Sequence, residues 1–483
     1  MSPLPSPEPT PGPAPRAAWL DQLTAALGPA RVVTGPDAAA MVADPRHRVT
    51  GAVSAVVRPA HHDQVVAVMQ RCADAGVVVV PHGGNTGMSS GQVPVAGDRP
   101  VVALSTVGLD RILDIDPLGA TITVEAGVTV AAVQEAAAAA DRLFAPDWGA
   151  VGSATVGGAV ATNAGGLNVV RYGSFRAHVL GLRVVLADGR TWDGLRSLRK
   201  DSSGYDLKQL FIGSEGTLGV VTAATLALQP PTRHSVSAWA SLPRLDRLPE
   251  VAAVLQDHAG PALTALELLP GVGVADACRR LDRVPPAPPT PWQLLIRLAA
   301  ATPVDDLLLA ALTAATDAGL LGDVLTADTA SRQQRLWAIR HELSPSVLYP
   351  LQTRAVKGDL AVPVERMPDL VAGAEAVQAR LAPAAITYAF GHVGDGNLHL
   401  YVLPLDRAGC DQIDAARSEI TAAIDQLVVD LGGTISGEHG VGRELIDRIG
   451  RQKPDVELDL MGAIKSALDP GNRMNPGVML PPR

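Results

Sequence analysis

Two glycine-rich segments near the C-terminal end carry the residue types that could do chemistry: GHVGDGNLH (391–399) and SGEHGVG (436–442). His392 closes the apolar run ITYAF and His399 opens the alternating run LHLYVL, with the turn formers Gly394, Asp395, Gly396 and Asn397 between them. That pattern predicts a β-hairpin in which the two imidazoles could face each other across the ladder. Two histidines with a carboxylate such as Glu438 make a three-ligand set with one position left open for substrate, the pattern of a catalytic metal site. His439, beside the ligand carboxylate, would then stay free as a base. Any one of these histidines alone reads more readily as a solvated turn residue, and it is the grouping in two compact segments that favours the metal.

The elements that must hold such a site begin with WLDQLTAALG (19–28), a short helical segment. The β-like run VSAVVRPA follows, then HHDQVVAVMQRCADAG (61–76), whose apolar spacing is helical up to Gly76. VVVVPHGGNTGMSSG comes next, so strand, helix and strand lead into a glycine-rich loop. This is a mononucleotide-type α/β opening, yet neither GxGxxG opening a helix nor GxxxxGK[ST] occurs there. A second glycine-rich region, DWGAVGSATVGGAVATNAGGLNVVRYG (147–173), suits backbone lying directly against a large ligand, because only small residues allow that approach. Ordinary turns are its alternative reading. LKQLFIGSEGTLGVVTAATLALQP (207–230) reads as a glycine-containing turn and a strand pair, closed by Pro230-Pro231. Beyond it, apolar strands (TALELL, WQLLIRLA) alternate with Ala/Leu-rich helical segments, an α+β pattern. LWAIRHELSPSVL (336–348) reads as helical up to Pro345, and the chain ends in a helix stopped by Asp469-Pro470.

At 483 residues the chain exceeds one ordinary core, so two or three domains are expected. A net charge of −9 excludes nucleic acid or an anionic membrane as the main partner, and no apolar run reaches transmembrane length. An anionic substrate would need a local basic pocket. Cys72, Cys278 and Cys410 lie far apart with no CxxC pairing, which fits a reducing, cytoplasmic chain without an iron–sulfur cluster. Residues 1–16 are Pro-rich without a signal-peptide core and read as a disordered leader.

PHGGNTGMSSGQVP, GSATVGGAVATNAGGLNVVRYGS, SLRKDSSGYDLKQLFIGSEGTLGVVT, GHVGDGNLHL, SGEHGVG and the terminal MNPG together resemble the FAD-linked D-2-hydroxy acid dehydrogenases of the vanillyl-alcohol oxidase type. The resemblance runs over roughly residues 50 to 480, and the stretch around 145–222 is most similar to D-2-hydroxyglutarate dehydrogenases. It implies an α+β fold with a bipartite FAD-binding domain, an α+β substrate (cap) domain and a C-terminal segment returning to the flavin. The expected division is a leader at 1–16, the FAD-binding domain at 17–232, the cap with the metal site at 233–450, and a helical segment at 451–483 packing on the FAD domain.

By resemblance, Pro81, Gly83, Gly84, Asn85, Thr86 and Gly87 hold the FAD pyrophosphate with backbone N–H groups, a nest needing no lysine. Pro146, Asp147, Gly152, Ser153, Gly157, Gly158, Thr162, Gly165, Val221 and Asn475 are the further flavin contacts. The flavin is expected to be non-covalent, since His82 precedes the paired glycines where histidyl-linked members carry their histidine after them. The family's divalent metal, zinc, falls on His392, His399 and Glu438, its base on His439, and its substrate carboxylate contacts on Arg340, Ser344 and Lys357. Position 401 departs from the pattern: the relatives have an asparagine that contacts substrate, and this chain has Tyr401. Ser344 stands where threonine is usual.

What this implies is oxidation of a D-2-hydroxy acid, D-2-hydroxyglutarate first, to the 2-oxo acid. Electrons would go to an external acceptor: electron-transfer flavoprotein, a quinone or a cytochrome. A D-lactate or glycolate dehydrogenase or oxidase, or the flavin subunit of a larger complex, are the alternatives. A homodimer is compatible with the resemblance.

Overall fold

The computed structural model describes residues 18–344 and 351–481, apart from the side chain of Gln352. The leader expected at 1–16 lies outside the described residues.

The helix His62–Asp74 forms where the sequence spaces Val65, Val68, Met69 and Cys72 along one face, and that face is buried. It stops at Gly76, whose φ of 66° is left-handed. The strand that follows, Val78–His82, pairs in parallel with Val101–Ser105, which pairs in parallel with Ala55–Val57. Val32–Val33 completes this sheet as an antiparallel edge. A second, antiparallel sheet is ordered Ile112–Asp116, Thr121–Glu125, Val220–Ala227, Val179–Val185, Thr191–Gly194. One core joins the two sheets, with Leu23, Val79, Ile122, Phe175, Val184 and Met474 among its buried members. Met474 belongs to the C-terminal segment, which returns to bridge Val79 in parallel and so brings Asn475 beside the first glycine loop.

The strand pair expected within 207–230 is instead a short helix, Lys208–Phe211, and the single strand Val220–Ala227. Gly213 (φ 80°) and Gly216 (φ 72°) hold the intervening chain in left-handed backbone that no strand can continue through.

The third sheet has seven antiparallel strands in the order Val324–Ala327, His234–Leu242, Trp292–Ala300, Leu263–Pro270, Ala385–His392, Asn397–Pro404, Val356–Ala361. One face buries Leu266, Ile296, Ala389 and Leu400 beneath the helices Leu248–Ala259, Asp305–Asp317, Met367–Leu381 and Arg407–Asp430. The last begins at Asp406, whose carboxylate accepts from the N–H of Gly409 at 2.8 Å. The opposite face carries Trp239, Leu269, Tyr388 and Phe390.

Because side chains alternate along a strand, register fixes what shares that second face. Glu267 pairs with His392, Phe390 with His399, His399 with Asp359, and Tyr401 with both Tyr388 and Lys357. Thus Glu267, His392, His399, Asp359, Tyr401 and Lys357 stand together on one side of the sheet. The predicted hairpin is present, though His392 lies opposite Asn397 and only diagonally from His399.

Burial pushes the imidazoles of His82 and His178 down to about 4. In the unfolded chain their pKa is ~6.5, so the stability they confer is complete above that value and is lost as pH falls toward 4. Each adds a slope of up to ~1.4 kcal/mol per pH unit across that interval. Urea denaturation should therefore show a falling midpoint from pH 6.5 to 4.5, and His178→Phe should flatten the fall; a midpoint independent of pH would show that these rings are not buried neutral.

Candidate active site

The first glycine loop and the 155–165 segment face each other across a cleft. Its lining includes Pro81, Gly83, Gly84, Asn85, Thr86, Gly87, Gly157, Gly158, Thr162, Gly165, Val221 and Asn475, each expected at the cofactor, together with Glu438 and His439. The backbones approach so closely that side chains are excluded. A Cβ on Gly84 would stand 1.9 Å from the carbonyl oxygen of Ser153, and one on Gly83 would stand 2.5 Å from Oγ1 of Thr155. Thr155 caps the helix Val156–Thr162 by accepting from the N–H of Gly158 at 3.3 Å. Pro146, Asp147, Gly152 and Ser153 are not among the lining residues. Pro146 instead accepts from Gln134 at 2.7 Å, and Asp147 and Ser153 offer their carbonyls to the packing of Gly166 and Gly84.

Two observations fit a dinucleotide in this cleft. Asn85, at φ 54°, puts left-handed backbone into the cleft-lining loop 83–87, which holds no lysine, a conformation of the kind found in anion nests. His82 is 5% exposed on the same lining, and its Nε2 has no partner within the protein.

The loop 436–442 is fixed to this cleft from both sides. Glu215 accepts from the N–H groups of Val441 and Gly442, each at 2.7 Å. Burial raises Glu215 to about 7 against those two bonds. Ser89 donates to the carbonyls of His439 (3.1 Å) and Gly440 (3.0 Å). A Cβ on Gly165 would meet Oε2 of Glu438 at 2.8 Å, so the glycine-rich flavin segment and the candidate metal carboxylate are in contact.

On the sheet side, Asp359 organises the loop. Its Oδ2 accepts from the main-chain N–H of both Glu438 and His439 at 2.8 Å. Its Oδ1 lies 3.4 Å from Nδ1 of His399 and its Oδ2 lies 3.3 Å from Nδ1 of His439. The far nitrogens of both rings face Glu438, with His399 Nε2 at 3.6 Å and His439 Nε2 at 3.4 Å from Oε1. Ligand atoms of Asp359, His399, Glu438 and His439 all fall within 4.8 Å of one another, a donor set that suits a divalent cation. The hydrogen bonds and imidazoles around Asp359 hold its carboxyl far below the usual range despite burial. Burial likewise opposes ionisation of Glu438, but His439, His399 and His392 hold it at about 2.

His392 is the third expected ligand, and it stands 5.6 Å from His399 ring to ring. Its Nδ1 is engaged with Oε1 of Glu267 at 2.6 Å, which leaves Nε2 as the nitrogen for a metal. Burial disfavours the charged ring, but Glu267 outweighs it and raises His392 to about 9, so cation binding there must displace a proton. Glu267 also takes Nε of Arg340 at 2.6 Å, and Arg340 lies over the Phe390 ring at 5.0 Å. Arg340, expected as a substrate contact, is therefore charge-compensated from behind. Ser344 does not share a helix face with it: the helix Ala330–His341 ends before it, because Pro345 disfavours helical backbone at the preceding residue. Tyr401 stacks on Phe390 (6.3 Å, 3°), and Lys357 lies 5.9 Å from the Tyr401 ring.

Sequence reasoning missed Asp359, Glu267 and Glu215. Asp359 had only its alternation with Lys357 as a signal, and Glu267 was hidden inside the apolar run TALELL.

A cleft walled by glycine backbone and closed by a loop of ionisable groups has the form that a large cofactor lying beside a reacting group requires. Residues 53–194 match the family model described as FAD binding domain, and residues 231–479 match FAD linked oxidases, C-terminal domain. The chain belongs to the FAD-linked oxidase family and is an FAD-linked dehydrogenase. It is 36% identical over 468 residues to a protein of Bos taurus named D-2-hydroxyglutarate dehydrogenase, mitochondrial, covering 94% of this chain and 82% of that one. It is 31% identical over 465 residues to the D-2-hydroxyglutarate dehydrogenase of Stutzerimonas stutzeri, covering 95% and 98%. The fold is of the vanillyl-alcohol oxidase type: p-cresol methylhydroxylase with substrate bound superposes with a TM-score of 0.73 at 17% identity, covering 95% of both chains. Alkyldihydroxyacetonephosphate synthase superposes at 0.72 and 15% identity, covering 97% of this chain and 86% of that one.

Two variants test this geometry. Gly84→Ala should purify with most of its flavin absorbance lost, because the opposing atom is backbone and cannot yield; normal flavin content would put the cofactor elsewhere. Glu267→Ala leaves Arg340 and His392 buried without their counter-charge and should cost about 3–5 kcal/mol in urea denaturation.

Proposed function

We propose that this protein oxidises a D-2-hydroxy acid, with D-2-hydroxyglutarate as the leading substrate, to the corresponding 2-oxo acid. One observation carries the reading: His399, Glu438 and His439 converge beside Gly165 of the flavin cleft, and Asp359 sets the orientation of both rings. The names of the relatives agree with it.

When bound, FAD supplies the acceptor for the hydride from C2, and a divalent cation, zinc in similar dehydrogenases, supplies Lewis acidity that lowers the pKa of the C2 hydroxyl. His392, His399 and Glu438 are the residues that would hold the cation. The hydroxyl proton passes to His439, whose Nδ1 is turned to Asp359 and whose Nε2 is therefore the accepting atom. Burial opposes protonation of His439, and Glu438 and Asp359 outweigh it and raise the ring's pKa. Arg340, Ser344 and Lys357 are the proposed carboxylate contacts. Tyr401 stays a neutral phenol, raised to about 12 by burial and by Asp359, and its bulk favours a second reading with a smaller acid such as D-lactate.

We place the activity in the cytoplasm on the strength of three free, buried cysteines, with electrons leaving to an external acceptor. Among the described residues no helix is long and apolar enough to cross a membrane.

Anaerobic reduction of the flavin by D-2-hydroxyglutarate, D-lactate, D-malate and glycolate, with and without chelator, tests the reading. Fast reduction by D-2-hydroxyglutarate that chelator removes is the expected result, and reduction by D-lactate or glycolate alone would favour the smaller acid. His439→Ala should keep its FAD and lose at least about a hundredfold in reduction rate; a loss within about tenfold would mean that another group takes the proton.

A further inference from the structure

Away from the flavin cleft, a groove of about 510 Å³ lies at the edge of the seven-stranded sheet formed by Val324–Ala327. That volume is far more than a lone inorganic ion fills. Its walls come from the edge strand, the helix Ala330–His341 and the segment 283–286 that follows the helix Gly271–Arg280. The helix supplies Arg332, Arg335, Leu336 and Ile339, whose spacing i, i+3, i+4, i+7 puts them on one face. Leu336 and Ile339 are buried, while Leu325 and Val284 on the other walls are 44% and 87% exposed.

Among the described lining residues three are arginines and none is acidic, in a chain with 49 acidic and 40 basic residues. These cations are poorly matched. Arg332 pairs with Asp328 at 3.1 Å, but the two side chains are 59% and 60% exposed, where such a pair is weak and open to exchange. Arg283 donates Nη1 to the carbonyl of Arg335 at 3.0 Å, and the Arg335 side chain has no hydrogen bond or ion pair among the described residues. The strand beside them has a second unmet need. Val324–Ala327 ends the sheet and, among the described residues, pairs with His234–Leu242 alone. The opposite edge, Val356–Ala361, is by contrast bridged by Thr434 and Ser436. An antiparallel edge turns alternate N–H and C=O groups away from its partner, so its outer side is a template for one more strand.

We propose that this groove receives an extended acidic segment of a partner protein, which adds as a strand along Val324–Ala327 and sets its carboxylates on Arg283, Arg332 and Arg335. Side chains of an added strand alternate between its two faces, so carboxylates at every second position would meet the arginines, and a guanidinium offers each of them two parallel donors. Nucleic acid fits less well, because no aromatic side chain lines the groove to stack a base.

The test uses the FAD-loaded full chain and a fluorescein-labelled peptide of alternating Glu and Val, about eight residues long, read by fluorescence anisotropy. Saturable binding is expected, weakened at least about tenfold in the double variant Arg283→Gln/Arg335→Gln and weakened again between about 50 and about 300 mM salt. Both positions are exposed, so the variant should keep its urea midpoint and its flavin. Peptides N-methylated at every Glu or at every Val test the strand pairing. Only alternate amides of an added strand face the sheet, so one of the two forms should lose at least about tenfold. Absence of saturable binding, equal binding of a Lys-Val peptide, or an affinity that the double variant or both methylated forms leave unchanged overturns the proposal. Preference for a thymidine oligonucleotide over the peptide also overturns it and assigns the arginines to phosphate.

Discussion

One carboxylate on an edge strand determines whether the two halves of the site meet. Asp359 accepts the main-chain N–H groups of Glu438 and His439 and faces a nitrogen of both His399 and His439. The loop 436–442 has no regular secondary structure to hold it, so these bonds, with those from Glu215 and Ser89, satisfy its backbone. Without that tether the carboxylate and the base would have no reason to lie over the flavin cleft. The same contact selects which ring nitrogen of each histidine looks inward, a decision that a histidine in isolation leaves open.

Burying this much charge is expensive, and the protein offsets it in matched sets. Glu267 is 0% exposed and answers both Arg340 and His392. Asp359 and Glu438 answer His399 and His439. Each anion is held ionised by its partners against the desolvation that burial imposes. Such pairs add little net stability over an apolar core, so their presence on one face of a sheet whose other face packs the main apolar core marks that face as the working one.

The flavin side follows a different constraint, that of space. Thr155, Ser153 and Ala126 come so close to Gly83, Gly84 and Gly157 that a methyl group has no room, so the wall of the cleft is backbone. The C-terminal segment then returns to the parallel sheet and places Asn475, whose side chain donates to the carbonyls of Gly91 and Glu215, at the same cleft.

Much of this was legible in the amino-acid sequence because local chemistry determines it. The His392–His399 hairpin follows from alternation broken by turn formers, the glycine loops from their composition, and the helix at 62–74 from its spacing. Where local rules were applied past their reach they failed, as with the helix that ends at His341 rather than at Pro345. Tertiary structure alone decided the partners of the charged groups. Glu267 reads as one polar residue in an apolar strand and Asp359 as one carboxylate in the short strand KGDLAVPV, because cross-strand register and loop docking join residues far apart in the chain. The sequence by itself therefore determined which groups are available and how the backbone is built to hold a flavin. Which of those groups face one another was decided by long-range pairing, whose energies depend on neighbours that no local window contains.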